Sequence, residues 1–254
     1  MLLAIDVGNT MTDFGFFGSE GDPLFYRTRS RRDITLQEAK ASLTIFIKSI
    51  GEKTLPVEGA IIASVVPSLT LIYVALCKEL FGVEAKVLGP GLKSGIRIVT
   101  DNPKEVGADM IAAAVGAKEE YGDACIICDF GTATKVILLD ETGAFAGCTI
   151  GAGVGLQAES LSSSAALLPE VSLQIPAKIL GKNTNDCMNS ALTYGNAFAA
   201  SALADGIEKE AGYPCKRVLT GGFSSTVAPL LPGYAHDPYL VLKGLASIYR
   251  RNAR

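Results

Sequence analysis

Two aspartates, each placed where an apolar run breaks into a glycine turn, offer this chain its most specific chemistry. The first is Asp6 in Leu2-Leu-Ala-Ile-Asp6-Val7-Gly8-Asn9-Thr10. The second is Asp129 in Cys125-Ile-Ile-Cys128-Asp129-Phe130-Gly131-Thr132-Ala133-Thr134, after which an apolar run resumes at Lys135-Val-Ile-Leu-Leu139. A glycine bend turns backbone N–H groups toward phosphate oxygens, and a neighbouring carboxylate can hold a hydrated divalent ion beside them. One such turn is an ordinary strand end. A matched pair points to phosphoryl transfer from a nucleotide, in two similar halves facing across a cleft. That chemistry needs positioning, metal charge and a base for the acceptor hydroxyl. Asp109 is the candidate base, in Asn102-Pro103-Lys-Glu-Val-Gly107-Ala108-Asp109, at the first turns of a helix. Its plain alternative is an acidic partner of the helix dipole.

The elements that must position these residues alternate. Strands are expected at 2–7, 12–17 and 24–29, with a turn over 18–23 between the last two. Thr35-Leu-Gln-Glu38 has the form of a capping box and opens a helix to about Ile50. A strand at 59–66, a helix at 67–81, a strand at 85–88 and a helix from about Pro103 to Tyr121 follow. The second half repeats the opening with strands at 124–129, 134–140 and 144–150. After these, the glycines of Gly151-Ala-Gly153-Val-Gly155 start a helix to Leu168. A long helix from about Thr184 to Glu210, a strand at 216–219 with Thr220-Gly221-Gly222 behind it, and a helix from Tyr239 to Arg251 complete the chain. The alternation argues for α/β architecture with mixed sheets and helices packed on their faces.

Composition narrows the partners. In 254 residues, 48% are hydrophobic and 19% charged, and the net charge is −3, so no field recruits nucleic acid and small molecules fit better. Arg27, Arg29, Arg31 and Arg32 read as a solvated face, since no aromatic platform interleaves with them. The uncharged stretch from Gly59 to Cys77 is split by Ser64, Pro67, Ser68 and Thr70, so it reads as soluble core and no membrane is expected. No basic leader precedes Leu2, and a cytoplasmic home is expected. The six cysteines are scattered, and Cys125-x-x-Cys128 lies within a strand with His236 as the single histidine, so reduced thiols are expected rather than zinc or redox chemistry.

In order along the chain, Asp6-x-Gly-Asn-Thr10, Ser64-Val-Val-Pro67, Asn102-Pro-x-x-Val-Gly-Ala-Asp109, Asp129-Phe-Gly-Thr-Ala-Thr134, Gly181-x-Asn-Thr184 and Thr220-Gly-Gly222 resemble the type III pantothenate kinase family. The resemblance implies an actin-like ATPase fold of two ribonuclease-H-like domains, expected at 1–117 and 118–239, with the helix of 240–254 returning to the first. It implies ATP-dependent phosphorylation of pantothenate, the first step of coenzyme A synthesis, in a homodimer using Mg2+ and a monovalent cation, K+ or NH4+. By position, Asp6, Val7, Gly8, Asn9, Thr10, Met11, Thr12 and Asp13 would form the first phosphate loop, with Asp6 reaching Mg2+, through water if not directly. Thr132 would contact ATP, Asp129 would hold the monovalent cation and Asp109 would be the base. Thr100, Gly107, Ala108, Asp109, Met110 and Thr184 would meet the acceptor, Thr184 across the dimer interface.

The chain departs from the family pattern at Met110, where arginine is usual, at Thr100, where tyrosine is usual, and at Lys135, where a threonine is usual. Gly151-Ala-Gly153 also lacks the family's proline. A methionine offers no donor to a substrate carboxylate, so weaker use of pantothenate is expected. Two other readings stay open here: a nucleotide-binding relative without turnover, and a kinase of the same superfamily acting on another small hydroxyl acceptor.

Overall fold

The computed structural model describes residues 1–19, 21–164 and 168–253. The chain divides into two compact units, one of Met1–Ile96, Asn102–Glu119 and Leu240–Arg254, the other of Arg97–Asp101 and Glu120–Tyr239.

In the first unit, β1 (Leu2–Val7), β2 (Met11–Phe17) and β3 (Leu24–Arg29) form an antiparallel meander. Helix α1 (Leu36–Ser49) follows, then β4 (Gly59–Ser64), α2 (Pro67–Phe81) and β5 (Ala85–Val87), with β4 parallel to β1 and β5 parallel to β4. The sheet order is β3-β2-β1-β4-β5. The predicted capping box is present: Glu38 N donates to Thr35 Oγ1 at 3.2 Å and Thr35 N donates to Glu38 Oε2 at 2.8 Å. Strand alternation sends Leu3, Ile5 and Val7 into a core with Leu43, Ile47, Leu69 and Tyr73, which leaves Ala4 and Asp6 on the opposite face.

Helix α3 (Ala108–Tyr121) begins only after a short 3₁₀ turn at Pro103–Glu105, so the helix expected from Pro103 is two pieces. Val106 is extended at φ −72°, ψ 120°, and breaks them apart. The expected turn over 18–23 includes Glu20, which lies outside the described residues.

In the second unit, β6 (Cys125–Phe130), β7 (Ala133–Leu139) and β8 (Phe145–Ala152) repeat the meander. After α4 (Val154–Ser164), α5 (Thr184–Ser190) and α6 (Asn196–Ala211) comes β9 (Lys216–Thr220), parallel to β6. A short helix α7 (Ser224–Val227) leads to β10 (Ala235–His236), and the order β10-β9-β6-β7-β8 reproduces that of the first sheet. Arg97–Asp101 belongs here because Phe145 N donates to Arg97 O and Val99 N to Phe145 O, at 2.8 and 3.0 Å, along β8. The expected run of α4 to Leu168 crosses residues 165–167, outside the described residues.

The long helix expected from Thr184 is interrupted by a π turn at Ala191–Gly195. There the Asn196 amide bonds back to Leu192 O at 2.9 Å and pairs with Gln157, its side-chain N and O meeting Gln157 Oε1 and Nε2 at 2.9 and 3.0 Å. Single-turn widening of this kind lets a buried polar side chain be satisfied without ending the helix.

The final helix, α8 (Leu240–Arg251), packs on the first sheet and on α3. Glycines set how close it comes: a Cβ on Gly244 would stand 1.8 Å from Ala112 O, and one on Gly116 2.3 Å from Leu240 O. Ser247 and Arg251 both donate to Glu119 Oε1. Helix α3, which carries Asp109, is thereby held in its unit by backbone contact. Among the described residues no helix is long and apolar enough to cross a membrane.

Candidate active site

Asp6 and Asp129 are each the penultimate residue of the first strand of their sheet. At the first turn, Gly8 N donates to Met11 O at 3.0 Å, and a Cβ on Gly8 would stand 3.0 Å from the same oxygen. At the second, Gly131 N donates to Ala133 O at 3.1 Å. Gly153 N donates to Thr132 O at 3.0 Å, and a Cβ on Gly153 would stand 2.2 Å from Gly131 O. The glycine-rich loop is thus packed on the second turn, and Gly153 is demanded by that approach.

Cross-strand pairing decides the charge beside each aspartate. Asp6 faces Asp13 on β2, and Asp13 faces Arg27 on β3. Arg27 forks onto Asp13, donating Nε to Oδ1 at 2.5 Å and Nη2 to Oδ2 at 3.1 Å. Sequence reading set Arg27 among solvated charges; the signal that identifies it is its place on the register row of Asp6 and Asp13. In the second sheet, Asp129 faces Lys135 on β7 and Thr220 on β9. Lys135 Nζ donates to Asp129 Oδ2 at 2.8 Å, with side-chain exposures of 13% and 11%. Gly221, at φ +94°, follows Thr220, and a Cβ there would stand 2.3 Å from Asp129 Oδ1.

These surroundings meet the two implied metals differently. Mg2+ takes one or two carboxylates and completes its shell with water and phosphate oxygens, so Asp6 at the first glycine turn would suit it. A soluble monovalent ion at Asp129 fits poorly, because that carboxylate already carries the Lys135 ammonium. The Thr134 and Thr220 hydroxyls are buried beside this turn without a hydrogen-bond partner, as is that of Thr100. Buried polar groups of this sort are ordinarily satisfied, so those at the second turn mark where a ligand or water would bond.

Asp109 is the second residue of α3, within the turn where helix N–H groups lack intrahelical acceptors. Its carboxylate folds back over Gly107, where a Cβ would stand 2.6 Å from Asp109 Oδ1. A side chain at position 107 would push that carboxylate aside. Ala108 opens the helix, and Met110 is buried at 7% exposure. Thr184 opens α5, capped by Asn183, whose Oδ1 accepts from Asp186 N at 2.9 Å and whose Nδ2 donates to Asp186 Oδ2 at 2.7 Å. The sequence reading did not find this cap, although Asn and an acidic residue three positions apart is its signature.

Burial pushes the thiols of Cys125 and Cys128 up to about 12. Neither is a poised nucleophile.

The type III pantothenate kinase family model matches residues 2–205. A type III pantothenate kinase of Moorella thermoacetica is 36% identical over 253 residues, covering 99% of this chain and 100% of that protein. One of Halalkalibacterium halodurans is 35% identical with the same coverage. Among solved structures, component A of Acidaminococcus fermentans (R)-2-hydroxyglutaryl-CoA dehydratase shares the fold, with TM-score 0.55 and 14% identity over 100% of this chain and 99% of that one. The shared fold is the doubled five-stranded sheet flanked by helices. On these grounds the chain belongs to the type III pantothenate kinase family.

Proposed function

We propose that this protein transfers the terminal phosphoryl group of ATP to pantothenate, the first step of coenzyme A biosynthesis, in the cytoplasm. The observation that carries the reading is 36% identity to a type III pantothenate kinase over 99% of the chain. The readings as a silent relative, or as a kinase of another acceptor, are not favoured by a match of that extent.

In this proposal Asp6 to Asp13 form the first phosphate loop, and Thr132 meets ATP from the second turn. Gly8 and Gly131 leave room at the two turns for phosphate oxygens, and Asp6 would hold Mg2+, which would neutralise phosphate charge when bound. Asp109 takes the proton of the pantothenate hydroxyl as that oxygen attacks phosphorus. Thr100, Gly107, Ala108, Met110 and Thr184 belong to the acceptor side. Met110 has no donor, so in this proposal the pantothenate carboxylate is gripped by other residues.

A second copy of the chain is the proposed partner. Phe198 and Leu203 on α6 are 48% and 44% exposed, apolar area of the kind that a dimer covers. Sedimentation as a dimer at micromolar concentration supports this; a monomer contradicts it. The activity itself is tested by mass spectrometry of pantothenate incubated with the protein, ATP and Mg2+: a product heavier by one phosphoryl group supports the reading, and unaltered pantothenate opposes it.

A further inference from the structure

Equivalent positions of the two sheets carry opposite charges. Opposite Asp6 stands Asp13, a second carboxylate; opposite Asp129 stands Lys135, a cation. A carboxylate withdrawn from water needs a counter-charge, supplied either by an ion from solution or by a side chain. In the first sheet the row places Arg27 on Asp13. In the second, Lys135 reaches Asp129 at 2.8 Å while both side chains are almost nine-tenths covered.

We infer that the Lys135 ammonium is a built-in counter-ion for Asp129, standing where the family resemblance implies a soluble monovalent cation, so that this protein uses nucleotide without potassium or ammonium. The inference rests on the nucleotide-dependent reading above. Backbone encloses the other side of the carboxylate: a Cβ on Gly221 would meet Asp129 Oδ1 at 2.3 Å and Phe130 C at 2.6 Å, and one on Gly131 would meet Oδ1 at 3.4 Å. A second unit charge brought to the same carboxylate would stand about 4 Å from the ammonium. At an effective dielectric constant of about 20, that repulsion weakens binding on the order of a thousandfold. A tethered ammonium, by contrast, is present at an effective concentration that no buffer changes.

The experiment compares wild-type protein with Lys135→Met, which keeps an unbranched stem and removes the charge, in potassium chloride and in tetramethylammonium chloride at equal ionic strength. Binding of a non-hydrolysable ATP analogue is read by calorimetry and phosphopantothenate formation by mass spectrometry. Wild-type affinity and turnover are expected to agree within about twofold between the two salts, since screening is matched. Lys135→Met should lose roughly tenfold or more in affinity in tetramethylammonium, the scale of a charged hydrogen bond, and recover it in potassium. The inference is overturned if wild type binds roughly tenfold better in potassium, or if Lys135→Met is impaired equally in both salts, as it would be if Lys135 contacted phosphate directly. Should Lys135→Met not fold, the wild-type comparison and Lys135→Arg, expected to remain salt-indifferent, still decide it. Binding without product in either salt defeats the kinase reading while the binding data go on to judge this one; no binding in either salt defeats both.

Discussion

Arg27 closes a two-pronged hydrogen bond on Asp13, at 2.5 and 3.1 Å, while Asp13 faces Asp6 across the first hairpin. Two adjacent carboxylates repel each other, and the planar guanidinium neutralises Asp13, leaving Asp6 as the proposed Mg2+ holder. Replacing it with glutamine leaves both negative charges in place without their cation. Arg27→Gln is therefore expected to raise KM for MgATP by roughly tenfold, the scale of a charged hydrogen bond, with a smaller change in kcat. Steady-state kinetics over a range of MgATP checks this, and an unchanged KM would mean that the Arg27–Asp13 pair plays no part in arranging the first turn.

Asp109 lies at the start of α3, folded over Gly107 and remote in sequence from either phosphate turn. As the proposed base for the acceptor hydroxyl, Asp109 carries the prediction that Asp109→Asn lowers turnover by about 10²–10⁴-fold. Nucleotide affinity, measured by calorimetry, should stay within a few-fold of wild type. Asp6→Asn should do the reverse, weakening Mg2+-dependent use of ATP. Near wild-type turnover in Asp109→Asn would remove it from the reaction.

The buried thiols give a pH prediction whose sign is fixed by their direction. Burial pushes Cys77, Cys125 and Cys128 up to about 12, from an ordinary value of 9.0. The folded chain then binds more protons than the unfolded one in alkali. The stability these thiols contribute is fully present below the unfolded value and is lost as pH rises from about 9 toward about 12. Urea midpoints should fall across that window, and less steeply when the three are replaced by valine. An equal slope in the replaced protein would show that other groups govern alkaline unfolding. A thiol reagent should also label Cys148 and Cys187, both exposed, long before the buried three.

Much of this was legible in the sequence because it is local. The capping box at Thr35, the start of α2 at Pro67 and the paired Asp-x-Gly turns each depend on residues a few positions apart, and each is where the spacing predicts. The break at Val106 was hidden because Pro103 is a good first helical residue and nothing after it but Gly107 interrupts the pattern. The π turn at Ala191–Gly195 was hidden because the contact beside it, Gln157 with Asn196, joins residues 39 positions apart. Lys135 on Asp129 and Arg27 on Asp13 depend on strand register, which periodicity does not fix. Met110 shows the opposite limit. Its identity was plain, but only packing reveals it as buried.

Phosphorylation of pantothenate by ATP is the activity proposed for this chain. Purified protein, pantothenate, MgATP and mass spectrometric detection test it in one reaction. Phosphopantothenate is expected only with ATP and Mg2+, and none is expected from Asp109→Asn. Nucleotide binding without phosphopantothenate, or turnover confined to a different hydroxyl acceptor, would contradict it.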